Sequence, residues 1–385
     1  MTLIIFLLVL SVLVLIHEAG HYFAARIFGV KADEFGYGLP PRMIGFVKVG
    51  NKWKHVGRKD TKEYANTIWS LNWLPLGGFV RIKGEQGEGE QDADSFHTKP
   101  IWQRVVILAA GVFMNWVLAV ILFSIALMSG APAMLDDLPP GADVQDRAVT
   151  IIETLPGSPA ALAGIQAGDV IVRVGPEDAQ TLERTRALIL DQGTRPFTLQ
   201  IRRDGADQFL NVTPVYLEGA GRTGIGVGLV DTGTVKYPFL QAIQGGFTLT
   251  VSYTKAVVLT FVDLFRDLIQ GKSETAGLVT GPVGIAVTTG HIAKQGFIAL
   301  IQFTAILSVN LAVVNFLPIP ALDGGRALFL VVEWLRKKAI KRHTEALIHN
   351  ISFLILIGLI LLVTVRDIGR YGGVIVAGLK GLVGM

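Results

Sequence analysis

The sequence predicts a polytopic α-helical membrane protein with about four transmembrane helices, a membrane-associated β-hairpin region and one inserted small α+β domain. Three observations carry this. The 385-residue chain is 51% hydrophobic and only 17% charged, with a mean hydropathy of +0.50; soluble domains average roughly 25% charged residues. Four apolar stretches are long enough to cross a bilayer. Between the second and third, short runs of alternating apolar and polar residues replace continuous hydrophobicity.

The first transmembrane helix is read over 1–30, the second over 105–130, the third over 297–323 and the fourth over 346–366. The N-terminal run has no basic segment ahead of its apolar core and no small-residue cleavage site, so it reads as a span and not a signal peptide. Segment 238–290 holds an amphipathic stretch ending in "FVDLFRDLIQGK", read as a helix lying at the interface and followed by a connecting segment. Basic residues set the orientation. Loop 26–104 carries Arg26, Lys31, Arg42, Lys99 and Arg104, and loop 326–342 carries Arg326, Arg336, Lys337, Lys338, Lys341 and Arg342. The positive-inside rule places both loops in the cytoplasm. Four crossings then put both termini, and segment 131–296, on the far side.

The net charge of +4 comes without a basic stripe, which argues against a nucleic acid partner and for the lipid bilayer as the surface met. Cysteine is absent, which excludes disulfides, a cysteine nucleophile and thiolate metal ligands.

Region 31–104 reads as short strands punctuated by Gly and Pro, in "VKADEFGYGLPPRMIGFVKVG" and "YANTIWSLNWLPLGGFVRIKG". Ile68, Trp69, Leu71, Trp73 and Leu74 suggest that it dips into the bilayer from the cytoplasmic side. Hairpin pairing would satisfy its backbone there, and an exposed edge could receive an extended chain. The following "GEQGEGEQDADSFHTKP" reads as an acidic linker. Residues 148–215 form the inserted module, with strands in "TIIETL", "DVIVRV" and "PFTLQIRR" and one helix at 180–191.

The chemistry is concentrated in "LVLIHEAGHYFAAR", 13–26. Residues i and i+4 share a helix face, so His17 and His21 can offer ring nitrogens to one ion. Such a pair binds Zn²⁺, with the intervening Glu18 as general base. Three ionisable groups within five residues of an apolar span are expensive there, and the default reading of such groups is functional. About 16 residues at about 1.5 Å each place His17 roughly 24 Å into the span, within the membrane and nearer its cytoplasmic face. A catalytic zinc needs a third protein ligand and an open position. Asp323, in "NFLPIPALDGGRAL", is the better candidate than His55, His97, His291, His343 or His349. Pro318 and Pro320 break the third span, so Asp323 can turn inward. The alternative reading is a cap for the helix that follows. Asn115 and Asn315, in the second and third spans, either bond between helices or donate to a substrate carbonyl or oxyanion.

Together these residues resemble the site-2 protease family of intramembrane zinc metalloproteases, over nearly the whole chain. His17, Glu18 and His21 match HExxH. Asn315, Pro318, Pro320, Leu322, Asp323 and Gly324 match NxxPxPxLDG, the more specific pattern. The chain looks most like the bacterial branch whose members cleave membrane-anchored anti-sigma factors. The resemblance implies zinc held by His17, His21 and Asp323, with Glu18 activating the water. It matches Asn115 to an asparagine early in the second span, with Val112 where proline is common. "GSPAALAGIQAGDVIVRV" resembles the PDZ domains of bacterial envelope proteases, which add a peptide as a strand and capture its C-terminus. "EFGYGLPPR" and "PLGGFVRIKGE" resemble the family's membrane-dipping hairpin, and "GLVTGPVGIA" the segment before its third span. Gram-negative members carry two tandem PDZ domains, and this chain has room for one.

The implied protein is a metalloendopeptidase of the bacterial inner membrane, with the PDZ-like domain outside. Its substrates would be single-span membrane proteins already cut by another protease, such as anti-sigma factors or remnant signal peptides. Two other classes fit parts of the pattern. A membrane-anchored PDZ binding protein with a structural metal would hold zinc without turnover. A metal or proton transporter would use the intramembrane His and Asp as a relay, but has no evident need of Glu18 and would favour inverted repeats, which the sequence lacks.

Overall fold

The computed structural model describes residues 1–383 apart from 59, 61, 86–88, 90, 136–140, 204, 218–220, 273–279, 339 and 341. The chain divides into two compact units, 1–124 with 246–385, and 125–245.

The first unit begins with α1 (Thr2–Ile27), an apolar run that ends at Phe28 and the left-handed Gly29. A small sheet follows, made by β1 (Ala32–Val49), β2 (Lys52–Val56) and β3 (Ile68–Ile82) in the order β2-β1-β3. It is more than the simple hairpin expected. β1 and β3 each bend in their Gly- and Pro-bearing middles and pair with each other more than once. Residues 32–37 run antiparallel to 78–82, and 42–46 antiparallel to 69–72. In between, Glu34, Phe35, Gly36 and Tyr37 pair with Ile68, Trp69, Ser70 and Leu71, partners that advance in step, so this inner pairing is parallel. The result is a ribbon in which 78–82 forms one edge and β2 the other. Trp53, Trp69, Trp73, Leu39, Met43 and Leu74 stand exposed on it.

At the centre of this sheet buried Glu34 meets two cations, a largely buried Arg42 and an exposed Arg81. Arg42 Nε donates to Glu34 Oε1 at 2.9 Å, a second Arg42 nitrogen reaches the other oxygen, and Arg81 lies 3.5 Å away. Burial pushes the Glu34 carboxyl up. Hydrogen bonds from Arg42 and Ser70, and the charges of both arginines, outweigh it and hold the group below its ordinary value of 4.5.

A one-turn helix (Phe96–Thr98) leads into α2 (Ile101–Ser129). The second unit then follows as β4 (Ala131–Met134), β5 (Asp143–Thr154), α3 (Pro159–Leu162), β6 (Val170–Val174), β7 (Glu177–Asp178), α4 (Leu182–Asp191), β8 (Phe197–Arg203), β9 (Ala206–Val212), β10 (Val215–Leu217), β11 (Arg222–Gly224) and β12 (Val227–Lys236). Its main sheet runs β4-β12-β5-β6-β8-β9, around a core that includes Val149, Ile151, Ile171, Leu199, Ile201 and Leu229. Ser158 and Thr181 cap α3 and α4 by accepting from backbone N–H groups three residues on. The sheet extends past 148–215 in both directions, because β4 and β12 are its strands too.

The chain returns to the first unit through α5 (Phe239–Gln270), α6 (Pro282–Gln295), α7 (Phe297–Phe316), α8 (Asp323–Arg336) and α9 (Arg342–Val383). Ala119 and Phe123 of α2 pack on Ala305, Val309 and Val313 of α7. A second cluster joins Ala24 and Ala25 of α1, Ile82 of β3, Ile107 and Leu108 of α2 and Leu330 of α8. Buried Asp367 on α9 accepts from Gly284 N–H at 2.7 Å, in the first turn of α6.

Among the described residues five helices are long and apolar enough to cross a membrane: α1, α2, α5, α7 and 343–372 of α9. The helix added to the four read from the sequence is α5, which carries Lys255, Asp263, Arg266 and Asp267.

Removing the carboxylate from the Glu34 cluster leaves a buried guanidinium without its partner, a loss of about 3–5 kcal/mol for a buried pair. Glu34→Gln is therefore expected to unfold more easily in detergent at pH 7. A depressed carboxylate contributes stability above its unfolded value, near 4.5, and loses it as pH falls through the folded value. The gap between wild type and variant should close on acidification below pH 4.5, and thermal melts across that range would show it.

Candidate metal centre

The site is assembled by three elements. On α1, His17 and His21 lie one turn apart on the face turned to α2, and both are buried. On α2, residues 107, 111 and 115 also recur at one-turn spacing and form the opposing face. The third element is the turn between α7 and α8. Pro318 and Pro320 cannot extend α7, which stops at Phe316, and Asp323 opens α8. Leu322 takes the cap position with no side-chain bond, so the Asp323 carboxylate is free to face α1. Gly324 and Gly325 make this turn possible: a Cβ on them would lie 2.3 Å from the Phe316 carbonyl oxygen and 2.1 Å from that of Ile319.

These elements bring three ligand atoms together. His17 Nε2 lies 2.9 Å from Asp323 Oδ2 and 3.2 Å from His21 Nε2, and His21 Nε2 lies 3.4 Å from Asp323 Oδ2. They form the one His/Cys/Asp/Glu cluster with metal-ligand spacing found among the described residues. A tetrahedral zinc with bonds of about 2.0–2.1 Å requires donor atoms about 3.3 Å apart, so the residues present fit the ion. The chemistry agrees. His21 Nδ1 faces the Ile107 carbonyl oxygen at 2.8 Å and donates to it, which leaves a lone pair on Nε2, aimed at the other two ligand atoms.

Glu18 lies beside the donors but outside the cluster. Its Oε2 accepts from the Val80 N–H at 2.9 Å, on the edge strand of the small sheet. Gly77 and Gly78 allow this approach: Cβ atoms there would press on Val14 and Leu15 of α1 at 3.1 and 3.0 Å.

The two asparagines separate. Asn315 Nδ2 is 3.4 Å from His17 Nε2, on the ligand side. Asn115 is fully buried with Nδ2 3.3 Å from His17 Nδ1, behind the ring. His349 instead reaches the Pro320 carbonyl, supporting the turn that carries Asp323.

Sequence reasoning did not single out Ile107, Val80 or Gly111. The first two act through backbone atoms, which leave no residue-type signal. Gly111 had one, a glycine inside the apolar span "VVILAAGVFMN".

The sequence profile of peptidase family M50 matches residues 5–56 and 59–359. The chain belongs to that family. As an M50 peptidase it is an intramembrane zinc metalloendopeptidase of the site-2 protease type, a multi-pass protein of the inner membrane. A Clostridium perfringens protein carrying a provisional zinc metalloprotease name is 34% identical over 96% of this chain and 98% of its own. The "Regulator of sigma-W protease RasP" of Bacillus subtilis is 28% identical over 96% and 98%. Among solved structures, the PDZ domain of the SdrC-like protein of Listeria monocytogenes aligns with 25% of this chain and 93% of its own, at 16% identity and a TM-score of 0.20.

Gly111 offers a direct test of the geometry. A Cβ there would lie 2.4 Å from His21 Nε2 and 2.8 Å from His17 Cε1. Alanine favours a helix over glycine by up to about 1 kcal/mol, so Gly111→Ala should leave α2 intact and still lose zinc. Elemental analysis of purified protein should find well under one zinc per chain, with an undiminished helical circular dichroism signal.

Proposed function

We propose that His17, His21 and Asp323 hold the zinc and that Glu18 is the catalytic general base. The observation that carries this is the triangle of three donor atoms 2.9–3.4 Å apart, with a carboxylate beside it that is not part of it. When bound, zinc supplies a Lewis acid for the scissile carbonyl and lowers the pKa of water to about 7. Glu18 then takes the proton from the attacking water and passes it to the leaving amine. Asn315, on the ligand side of His17, donates to the carbonyl oxygen as it gains charge.

The substrate is the transmembrane segment of a single-span protein, previously cut by another protease and locally unwound, because a helical segment keeps its carbonyls hydrogen-bonded. The edge 78–82 of the small sheet runs past Glu18 and is suited to receive that segment as a strand. An anti-sigma-factor-like substrate is supported by the name of the Bacillus subtilis relative, a regulator of sigma-W protease. Remnant signal peptides have the same chemistry.

The active site faces the cytoplasmic side and the inserted domain and termini the other. This requires four crossings, with α5 at the interface. Were α5 to cross as well, the basic loop 326–342 would move to the far side, against the positive-inside rule. The inserted domain acts as a PDZ-like module. A cleft of about 300 Å³ runs between α4 and residues 222–229, lined by Leu155, Ile189, Leu190 and Leu229. Arg186 of α4 donates across it to the Leu229 carbonyl at 3.4 Å, placing a cation where a peptide carboxylate would enter.

Incubation with a tagged single-span anti-sigma factor, alongside zinc quantification, tests the assignment. Glu18→Gln should retain zinc and lose cleavage by about 10²–10⁴-fold, the range for a general base. Asp323→Ala should lose zinc and cleavage together. Retained turnover in Glu18→Gln would remove Glu18 from its role.

A further inference from the structure

We infer that Asn115 is a positioning residue, the acceptor that holds His17 in the tautomer required for zinc. The inference rests on the zinc assignment above and deepens it.

A neutral imidazole carries one proton, on either nitrogen. His17 Nε2 is the atom turned to His21 and Asp323, so it must present its lone pair to bind the ion. The proton then sits on Nδ1 and requires an acceptor. The side-chain atom facing Nδ1 belongs to Asn115, at 3.3 Å. Written as Nδ2, it would set a donor against a donor. Its other amide atom, Oδ1, is buried and without a hydrogen-bond partner among the described residues. Oxygen and nitrogen of an amide are assigned from their bonding network. A half-turn of the amide brings Oδ1 onto the Nδ1–H, giving the otherwise unpaired oxygen a donor.

The surroundings support an acceptor that does not move. Asn115 is fully buried, and its backbone carbonyl accepts from Ser308 Oγ at 2.7 Å, which ties this turn of α2 to α7. His21 has the same support from the Ile107 carbonyl, two turns earlier on the same α2 face. Each metal-facing histidine thus has an acceptor behind it on α2, and Gly111 sits between the two acceptors. Asn115 is on the far edge of the His17 ring from Asn315, so a carbonyl approaching the ligand atoms meets Asn315 and not Asn115.

The test uses the full chain in detergent and compares Asn115→Asp with Asn115→Leu. Zinc affinity is read by competition with a chromogenic chelator, cobalt substitution gives the visible absorption of the ligand field, and a tagged single-span reporter gives cleavage. A carboxylate accepts from Nδ1–H as an amide oxygen does, and carboxylate–histidine–zinc arrangements are common. Asn115→Asp should bind zinc within about threefold of wild type, keep the cobalt spectrum and cleave. Asn115→Leu should lose about 10–100-fold in zinc affinity, the range for removal of such a partner. If the leucine variant does not fold, Asn115→Ser, too short to reach Nδ1, replaces it with the same expectation. Wild-type zinc affinity in the leucine or serine variant would overturn the inference. So would an aspartate variant that keeps zinc and loses cleavage, the signature of a lost donor to substrate. A wild type that holds zinc but cleaves nothing would instead count against the protease assignment, and the affinity comparison would still decide the role of Asn115.

Discussion

The close approach of α1 and α2 is the constraint on which the site depends. At Gly20 a Cβ would lie 2.3 Å from the Ala110 carbonyl oxygen, and at Gly111 it would lie 2.4 Å from His21 Nε2. Backbone therefore meets backbone on one side of the crossing, and bare backbone faces the imidazoles on the other. A larger residue at Gly20 would press backbone on backbone and push the helices apart, and one at Gly111 would press on the two imidazole rings themselves. In a membrane, where apolar side chains gain nothing by leaving lipid, small residues of this kind are what allow helices to associate closely. Here the same smallness is used twice, for association and to leave room at the ligand atoms.

A second dependence runs from the small sheet to the carboxylate proposed as the base. Glu18 follows His17 directly and so stands about 100° around the helix from it, beside the donor triangle and not part of it. Its partner there is a backbone N–H of β3, which reaches α1 because Gly77 and Gly78 carry no side chains. The proposed base and the strand edge proposed for substrate pairing are thus joined by one hydrogen bond. Pairing of a chain along 78–82 and orientation of Glu18 are not independent events. Buried Glu34 and its partners Arg42 and Arg81 tie together the strands behind that edge, so an ion pair inside the sheet supports the strand that meets the proposed base.

What the sequence made legible was local. The i, i+4 pair of histidines needs only a helix, and the two prolines before Asp323 need only their own ring geometry to end α7. The long-range features were hidden for matching reasons. β4 and β12 lie beyond 148–215 in sequence, yet β12 pairs with β5 along most of its length and β4 lies on its other side. Alternation of apolar residues shows that a strand exists, not which strand it joins. The repeated pairing of β1 with β3 depends on where each strand bends, and Gly38 and Gly77 mark those bends without stating the register. α5 is apolar enough to cross and charged enough to lie flat, and composition alone does not choose. The asparagines were indistinguishable for a sharper reason, since their roles turn on which edge of one imidazole each meets.

That last difference makes the two histidines unequal. His21 leans on a backbone carbonyl, whose dipole and position are set by α2 itself. His17 leans on a side chain. A backbone acceptor cannot be altered without moving the helix, whereas the group behind His17 can be changed by substitution between a neutral amide and a carboxylate of the same length. The more electron-rich the acceptor on Nδ1–H, the more basic is the nitrogen given to the metal. A neutral amide is the weaker of the two choices. It leaves the ligand set with one full negative charge, from Asp323, and so leaves more of the cation's charge to act on water and on the scissile carbonyl. The pairing of an amide with His17 thus favours Lewis acidity over the tightest possible grip on the ion, a balance suited to a catalytic rather than a structural metal.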